Sequence, residues 1–301
     1  MTRSSEASAS PPWLDRDAYP FTDRFVALDA GRMHYVDEGH GEPILFVHGT
    51  PTWSFEYRHL IAALRPQARC IAPDLLGFGL SDRPREFAYT PDAHAAAIAE
   101  FVARLDPRDF TLVVHDYGGP IALPLALEDA SRVRRLVLLN TWMWPFDDAK
   151  MQKRGRMAAG GLGRWLYRHV NFSQRVLMPG AYGDRRKLTP AIHRQYLEVF
   201  RDKDARVQVL HALARAINGS RGYYARLLAN AERLRRFPAL IVWGMKDTAF
   251  PPCMLDRWRQ LLPQATVVTL AGAGHWPHEE EPEVVVRALR GFIGTPPATA
   301  A

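Results

Sequence analysis

The feature that most constrains the fold is a series of short apolar runs, each ending in a polar or glycine-containing turn. The runs are "ILFVHG" from Ile44, "RCIAPD" from Arg69, "FTLVVHD" from Phe110 and "RLVLLNT" from Arg135. Continuous apolar runs of this length are typical of strands buried on both faces. Helical patterns separate the runs, so the sequence predicts a mostly parallel sheet flanked by helices.

Two further patterns extend this prediction. The segment "RFVALDAGRMHYVDEG" alternates on both sides of Ala30-Gly31 and indicates a β-hairpin. The segment "TPDAHAAAIAEFVARL" predicts a helix, because Thr90 can cap it and Pro91 suits the first helical position.

The alternation of strands and helices breaks in the middle of the chain. From about Trp142 to Arg236 the sequence is helix-like and Arg-rich, with no convincing strand. The runs "ALIVWGMKD" and "TVVTLAGAG" then resume the sheet, and "PEVVVRALRGFI" closes the pattern with a helix. We therefore predict a core formed by residues 1–141 and 237–301, and a helical cap, residues 142–236, inserted between two strands.

Composition bounds the class of protein. With 301 residues, 47% of them hydrophobic, the chain can bury a large core. It has no signal-peptide pattern and no run of the ~20 apolar residues needed to cross a bilayer, so we expect a cytoplasmic protein without a membrane partner. Cys70 and Cys253 lie far apart and predict reduced thiols with no metal site. A small-molecule substrate and a monomer or weak homo-oligomer are expected.

The net charge of +7 is unevenly distributed. From Met151 to Arg236 there are 19 Lys/Arg against 5 Asp/Glu, whereas the rest of the chain has 20 against 27. No zinc pattern, helix-turn-helix or aromatic RNA-binding run accompanies the charge, so we expect no nucleic-acid partner. The simplest explanation is a solvated Arg-rich helical surface, and the alternative is a cap that steers anionic substrates toward a site.

The stretch "VVHDYGGP" carries the strongest chemical signal. A strand that runs through small residues into a helix is the geometry that exposes a nucleophile on a strained turn. Here the residue at the turn is Asp116. The alternative is that Asp116 only caps the helix, since Asp is a favoured N-cap residue.

Two distant residues favour the catalytic interpretation. Asp247 is the last residue of "ALIVWGMKD", just after the buried strand, and His275 lies in the Gly-rich loop "AGAGHWPHEEEP" after the next strand. Each residue alone suits a structural role. Together with Asp116 they stand in the chain order nucleophile, acid, histidine, in which the acid orients the imidazole and the imidazole acts as a base.

A carboxylate nucleophile narrows the reaction. A serine that attacks a saturated carbon leaves an ether, whereas a carboxylate leaves an ester that histidine-activated water can hydrolyse. Asp116 therefore favours a substrate whose leaving group departs from an alkyl carbon, such as a halide or the oxygen of an opening epoxide.

With these residues identified, the chain resembles the haloalkane dehalogenases of the α/β-hydrolase superfamily and, more distantly, the epoxide hydrolases. The resemblance covers roughly residues 19–293 and is carried, in order, by "YVDEG", "HGTPTWSFEYR", "APDLLGFGLSDRP", "HDYGGP", "WGMKD" and "AGHWPHEEEP". It implies that Asp116 attacks the carbon bearing the halogen, that His275 activates water and that Asp247 orients His275. Some relatives place the acid after the preceding strand, where this chain has Asn140.

The resemblance also implies an oxyanion hole and exposes two departures from the family. The backbone N–H groups of Thr50 and Tyr117 would form the hole. The family typically has Trp where this chain has Tyr117, and often Asn or Glu where it has Thr50, so the halide clamp is altered. Trp142 and Trp144 could supply an indole donor instead, although core packing is the expected role of at least one of them.

Tyrosines bear on the epoxide alternative, because epoxide hydrolases protonate the opening oxygen with cap tyrosines. The inserted segment offers Tyr167, Tyr182, Tyr196, Tyr223 and Tyr224, although packing roles are commoner for such residues.

Five other residues of these motifs are not assigned to the chemistry. We expect His48 and His115 to be structural, Asp74 and Gly77 to shape a loop, and His278 to lie at the surface.

The expected function is a cofactor-free hydrolase, with no metal, that works through a covalent aspartyl ester. A haloalkane is the first substrate class, and epoxides, lactones or esters are alternatives. A non-catalytic scaffold of the same fold is a further alternative that the three-residue set disfavours.

Overall fold

A computed structural model describes residues 11–294 and contains one eight-stranded sheet with the strand order β1-β2-β4-β3-β5-β6-β7-β8. The strands are β1 (Arg24–Leu28), β2 (Gly31–Glu38), β3 (Pro43–Val47), β4 (Arg69–Pro73), β5 (Phe110–Asp116), β6 (Val133–Thr141), β7 (Ala239–Gly244) and β8 (Thr266–Leu270).

Helices flank the sheet on both sides. The helices are α1 (Arg58–Leu64), α2 (Pro91–Leu105), α3 (Gly118–Glu128), α4 (Ala149–Ala159), α5 (Gly161–Val170), α6 (Met178–Ala181), α7 (Pro190–Val199), α8 (Lys203–Ala205), α9 (Ala212–Gly219), α10 (Arg221–Ala229), α11 (Pro252–Leu261), α12 (Pro277–Glu280) and α13 (Pro282–Gly294). Shorter 3₁₀ or π turns occupy Ser54–Tyr57, Ser173–Leu177, Arg185–Lys187, Arg206–His211 and Ala231–Arg236. Among residues 11–294, no helix has the length and apolar character that a membrane span requires.

The sheet confirms the predicted hairpin and the mostly parallel architecture. Strands β1 and β2 pair antiparallel across the turn at Gly31, and β2 pairs antiparallel with β4. All other pairs in the sheet are parallel. Strands β5 and β7 are buried along their whole length, as their apolar sequences predict.

One predicted local detail differs. Helix α2 begins at Pro91 with Thr90 in the N-cap position, but the Thr90 hydroxyl makes no capping hydrogen bond. The fixed φ of proline at the first position therefore marks the start of this helix without a side-chain cap.

The segment between β6 and β7 is helical in every element that the structure describes there, from α4 to Ala231–Arg236. It lies over the carboxyl ends of the parallel strands. The Gln174 amide donates to the carbonyl of Pro51 at 3.2 Å, and the Tyr223 hydroxyl donates to the carbonyl of Pro120 at 2.7 Å. We call residues 142–236 the helical insertion.

Candidate active site

Asp116 is the last residue of β5 and has a φ of 48°, in the left-handed region that a non-glycine residue adopts only at a cost. Helix α3 starts two residues later, at Gly118. A Cβ at Gly118 would overlap the carbonyl oxygen of Val47, and one at Gly119 would overlap the Thr141 hydroxyl. The glycines therefore allow the close approach of helix and strands that the elbow needs.

The two oxygens of the Asp116 carboxylate have different surroundings. The backbone N–H of Thr50 donates to Oδ1 at 2.8 Å, and Oδ2 lies 3.5 Å from Nε2 of His275. The carboxylate does not cap α3, whose N-cap residue is Tyr117. Asp116 is only 6% exposed, so its charge is held in a nearly dry site by a directed amide and an imidazole.

His275 joins the two candidate carboxylates. Its Nδ1 lies 2.7 Å from Oδ2 of Asp247, and because a carboxylate only accepts, Nδ1 carries the hydrogen and Nε2 faces Asp116. Burial lowers the pKa of His275, but Asp247 and Asp116 outweigh burial and raise the pKa from 6.5 to about 10. In the resting protein, His275 is therefore an imidazolium between two carboxylates.

Asp247 is fixed by backbone and side-chain donors. Its Oδ1 accepts from the N–H groups of Ala249 at 2.7 Å and Phe250 at 2.9 Å. Its Oδ2 accepts from the Asn140 amide at 2.7 Å, in addition to His275. These donors leave the Asp247 side chain no freedom to turn away from the imidazole.

Asn140 is a site residue whose role sequence reasoning missed. It occupies the end of β6, where some relatives carry the acid, and its side chain also accepts from the N–H of Gly244 at 2.8 Å. Asn140 thus links the end of β6 to the turn after β7 and directs one amide hydrogen at the acid. The sequence held one sign of this role, because Asn140 is a polar residue at the position where some relatives carry the acid.

The Tyr117 hydroxyl is already used in a hydrogen bond to the helical insertion. The phenol O–H donates to the carbonyl of Leu213 in the helical insertion at 2.7 Å, and the ring packs edge-on against Trp142. Burial is the main reason that the pKa of Tyr117 lies well above 10. Only the backbone N–H of Tyr117 is therefore left for an oxyanion hole, beside that of Thr50.

Trp142 forms an apolar wall with an unused donor. The side chain is 1% exposed, and its ring lies 4.7 Å from that of Tyr117 and 4.9 Å from that of Phe250, between centroids. Within residues 11–294, its indole Nε1 has no hydrogen-bond partner. Trp144, in contrast, packs edge-on against Trp258 at 5.0 Å and has the packing role expected for one of the pair.

The tyrosines of the helical insertion separate into two groups. The Asp116 charge helps to raise the pKa of Tyr167, to about 12, and that of Tyr224, with burial as the main cause for both. These two hydroxyls are therefore near the carboxylate. The others are used elsewhere: Tyr223 bonds to Pro120, Tyr196 bonds to Glu279 and Tyr182 stacks on Trp276.

A buried polar cluster lies behind the candidate histidine. Nδ1 of His115 is 3.2 Å from Oε1 of Glu56, and Nε2 of His115 donates to the carbonyl of His275 at 2.8 Å. Burial opposes ionisation of Glu56, but His115 outweighs it and lowers the pKa of Glu56 to about 2. This cluster supports the loop of His275 from below.

The prediction that His278 lies at the surface is wrong. Its side chain is 0% exposed and stacks on the ring of Tyr57 at 5.1 Å. Glu56, His115 and His278 have ligand atoms within 4.8 Å of one another and form the one group of metal-binding type found among residues 11–294. Because His115 already uses both ring nitrogens, this set is poorly suited to hold a metal.

His48 and Asp74 have hydrogen-bond partners that suit the structural roles expected of them. His48 donates through Nδ1 to the carbonyl of Gly49 and accepts at Nε2 from the N–H of Leu75. Asp74 accepts from the N–H groups of Ser54 and Leu80 and so shapes the loop after β4.

Comparisons with known proteins agree with this geometry. The family model described as "alpha/beta hydrolase fold" matches residues 42–282. The chain is 40% identical over 277 residues to "Haloalkane dehalogenase 2" of Mycobacterium bovis, covering 91% of this chain and 96% of the relative. It is 32% identical to "Cis-3-alkyl-4-alkyloxetan-2-one decarboxylase" of Shewanella oneidensis, covering 91% of this chain and 89% of the relative.

A solved structure, that of the haloalkane dehalogenase DbeA from Bradyrhizobium elkani, superposes with a TM-score of 0.82. The identity is 24%, and the match covers 91% of this chain and 97% of that one. At this identity the likeness concerns the fold.

Proposed function

Because the chain belongs to the α/β-hydrolase fold family and, within it, to the haloalkane dehalogenases, we propose that it hydrolyses a small haloalkane through an ester formed on Asp116. The observation that carries this proposal is the position of the Asp116 carboxylate, with Oδ1 on the Thr50 amide and Oδ2 facing His275. The chemistry needs only carboxylates, an imidazole and water.

In the first step, Oδ2 of Asp116 attacks the carbon that bears the halogen. The new carbon–oxygen bond forms as the carbon–halogen bond breaks, and the halide leaves with the electron pair. Oδ1 stays on the Thr50 N–H, so the carboxylate is held in one orientation for attack along the bond axis.

This step also changes His275. Esterification removes the charge of Asp116, one of the two carboxylates that raise the pKa of His275. The pKa falls, the imidazolium loses its proton to solvent, and the neutral imidazole can act as a base only once an ester is present. The charge of Asp116 thus controls whether His275 can act as a base.

In the second step, His275 takes a proton from water as the water oxygen adds to the Asp116 carbonyl carbon. The oxyanion that develops on Oδ1 meets the N–H groups of Thr50 and Tyr117. Collapse expels the alkoxide, which takes a proton from His275 and leaves as the alcohol. The proton that remains on the new Asp116 carboxyl group then passes to His275, so the carboxylate is regenerated with one water oxygen.

For the departing halide we propose Trp142 as a donor, because its buried indole N–H is unpaired in the described part of the chain. An unpaired buried donor carries a desolvation cost of about 1–3 kcal/mol, which a bound halide would remove. Trp142→Phe keeps the apolar wall, so it should slow halide departure while leaving ester hydrolysis intact.

Intact-protein mass spectrometry tests the mechanism directly. With 1,2-dibromoethane, His275→Gln should accumulate the alkyl ester on Asp116, and Asp116→Ala should show no adduct. Turnover of the unmodified protein in ¹⁸O-water should leave heavy oxygen in the Asp116 side chain after one cycle. Normal turnover by His275→Gln, or no label in Asp116, would contradict the proposed roles.

Epoxide hydrolysis is the second candidate, supported by Tyr167 and Tyr224. The Asp116 charge helps to raise the pKa of both hydroxyls, and we propose them as the proton donors that an opening epoxide requires. Tyr224→Phe should abolish turnover of styrene oxide and spare that of a haloalkane. A panel containing a haloalkane, an epoxide and an oxetan-2-one would rank the substrate classes.

The other expectations from the sequence are proposals of the same kind. We propose that residues 142–236 act as a cap over a core formed by residues 1–141 and 237–301. We also propose a cytoplasmic enzyme that is a monomer or weak homo-oligomer and that has no nucleic-acid partner.

A further inference from the structure

The exposed large apolar side chains of residues 11–294 are concentrated in one short part of the helical insertion. They are Met157 (61%), Leu162 (67%), Trp165 (53%), Val176 (46%) and Leu177 (49%). The remaining large apolar residues described are at least partly buried. Five such residues within about twenty positions are unusual for a surface exposed only to water.

The charged residues in the same part of the chain are all basic. From Ala149 to Gly183 there are seven Lys/Arg residues and no Asp or Glu. Lys153, Arg154, Arg156, Arg164 and Arg175 are all exposed. Arg168 pairs with Asp204, whereas the five exposed basic residues have no acidic residue within the segment. Exposed tryptophan and leucine among such basic residues are the composition of a helix that lies in the interface of an anionic bilayer.

Helix α5 shows how the two properties are arranged. At about 100° per residue, Leu162, Trp165 and His169 fall within about 60° of one another around the helix axis. All three are exposed, and the rings of Trp165 and His169 lie 5.4 Å apart. Tyr167 points about 160° away from Trp165 and is buried toward the Asp116 site.

From this arrangement we propose that the helical insertion docks on anionic lipid surfaces, with Leu162 and Trp165 in the interface and the arginines on lipid phosphates. The expectation of no membrane partner rested on the lack of a spanning run, which does not bear on a protein bound at the surface. A second copy fits less well, since two like-charged segments of this kind would repel each other. Nucleic acid would leave the apolar side chains without a role.

Docking would place the site beside the lipid phase. Helix α5 exposes Trp165 and buries Tyr167, whose pKa is raised in part by the Asp116 charge, so this helix would lie between the bilayer and the Asp116 site. Apolar substrates concentrate in bilayers, and a site whose cap rests on the bilayer would receive them without passage through water. Binding itself does not depend on Asp116, so it can be tested apart from catalysis.

Co-sedimentation with vesicles tests the proposal. The full chain should pellet with vesicles of phosphatidylcholine and phosphatidylglycerol, remain in solution with phosphatidylcholine alone, and be released by added salt. Leu162→Ser combined with Trp165→Ser should weaken binding at least about tenfold, as should Arg164→Glu combined with Arg175→Glu. Both pairs should retain the far-UV circular dichroism and the kcat/KM for a water-soluble haloalkane.

Two controls make the result specific. Arg236→Glu combined with Arg287→Glu changes the charge equally at exposed positions outside this surface and should leave binding intact. Trp165→Phe should still bind but should lose the quenching of tryptophan emission by brominated lipid.

Four results would overturn the proposal. They are absence of pelleting with phosphatidylglycerol, equal loss of binding in the control pair, a lipid-free dimer that the serine pair dissociates, and tight RNA binding that replaces vesicle binding.

Discussion

Replacement of Asp116 by Asn removes the negative charge beside His275 while keeping the shape of the side chain. Nε2 of His275 lies 3.5 Å from Oδ2 of Asp116, and both groups are buried. Because the anion stabilises the imidazolium, its loss must lower the pKa of His275 from the value of about 10. The Asn side chain is also uncharged, as Asp116 would be in the ester intermediate.

The size of the shift follows from the distance. Two unit charges 3.5 Å apart interact by about 5 kcal/mol at an effective dielectric constant of ~20. At ~1.4 kcal/mol per pKa unit this sets an upper limit of about 3.5 units. Carboxylates at such distances shift neighbouring groups by about 1–3 units, and we expect a decrease in that range.

The assay is a pH titration of the histidine side chains by ¹H–¹⁵N NMR, with the His275 signal assigned by its loss in His275→Gln. Asp256→Asn, at an exposed position on α11, is the matched control and should leave the His275 titration unchanged. A decrease of less than about half a unit, or an increase, would refute the view that the charge of Asp116 regulates the base.

The same pKa has a consequence for folding stability. His275 has a folded-state pKa raised above 6.5, so its contribution is complete below pH 6.5 and is lost as the pH rises through about 10. Asp116→Asn lowers that pKa, so the stabilising contribution of His275 should disappear at a lower pH than in the unmodified protein.

Three further substitutions test separate parts of the site and its support. Gly49→Ala should reduce kcat at least about tenfold while the fold persists, because the new Cβ would overlap Oδ1 of Asp116; adduct formation measured by mass spectrometry should slow equally. Asn140→Leu removes a donor to Asp247 and should cost about 1–3 kcal/mol in urea unfolding and slow ester hydrolysis; an unchanged midpoint would contradict this. Glu279→Gln leaves the buried guanidinium of Arg58 without its carboxylate and should lower the free energy of unfolding by about 3–5 kcal/mol, which calorimetry would detect as a lower Tm.

The strands, the hairpin and the elbow could be predicted because their signals are local. An apolar run followed by a turn residue fixes a strand and its end, whatever lies elsewhere in the chain. Asp116, Asp247 and His275 each lie at or after the end of a parallel strand. Because such strands end at the same edge of the sheet, their proximity could be predicted as well.

Residues whose roles depend on distant neighbours could not be predicted in this way. His278 stands in "HEEE" and suggests a surface, but α12 packs against the Ser54–Tyr57 turn, where Arg58 pairs with Glu279 and His278 stacks on Tyr57. The Tyr117 hydroxyl bonds to Leu213, ninety-six positions away, so no local pattern could reveal its direction.

The helical insertion leaves the sheet after β6 and returns before β7, and these two strands pair directly, with Leu136 opposite Ala239. The Asn140 amide spans the same gap to Asp247. The two ends of the insertion are thus fastened to each other independently of what lies between them. A chimaera in which this segment is replaced by one of another length should therefore keep Asp116, Asp247 and His275 in their relative positions. The substrate specificity of such a protein could be changed by exchanging the insertion alone.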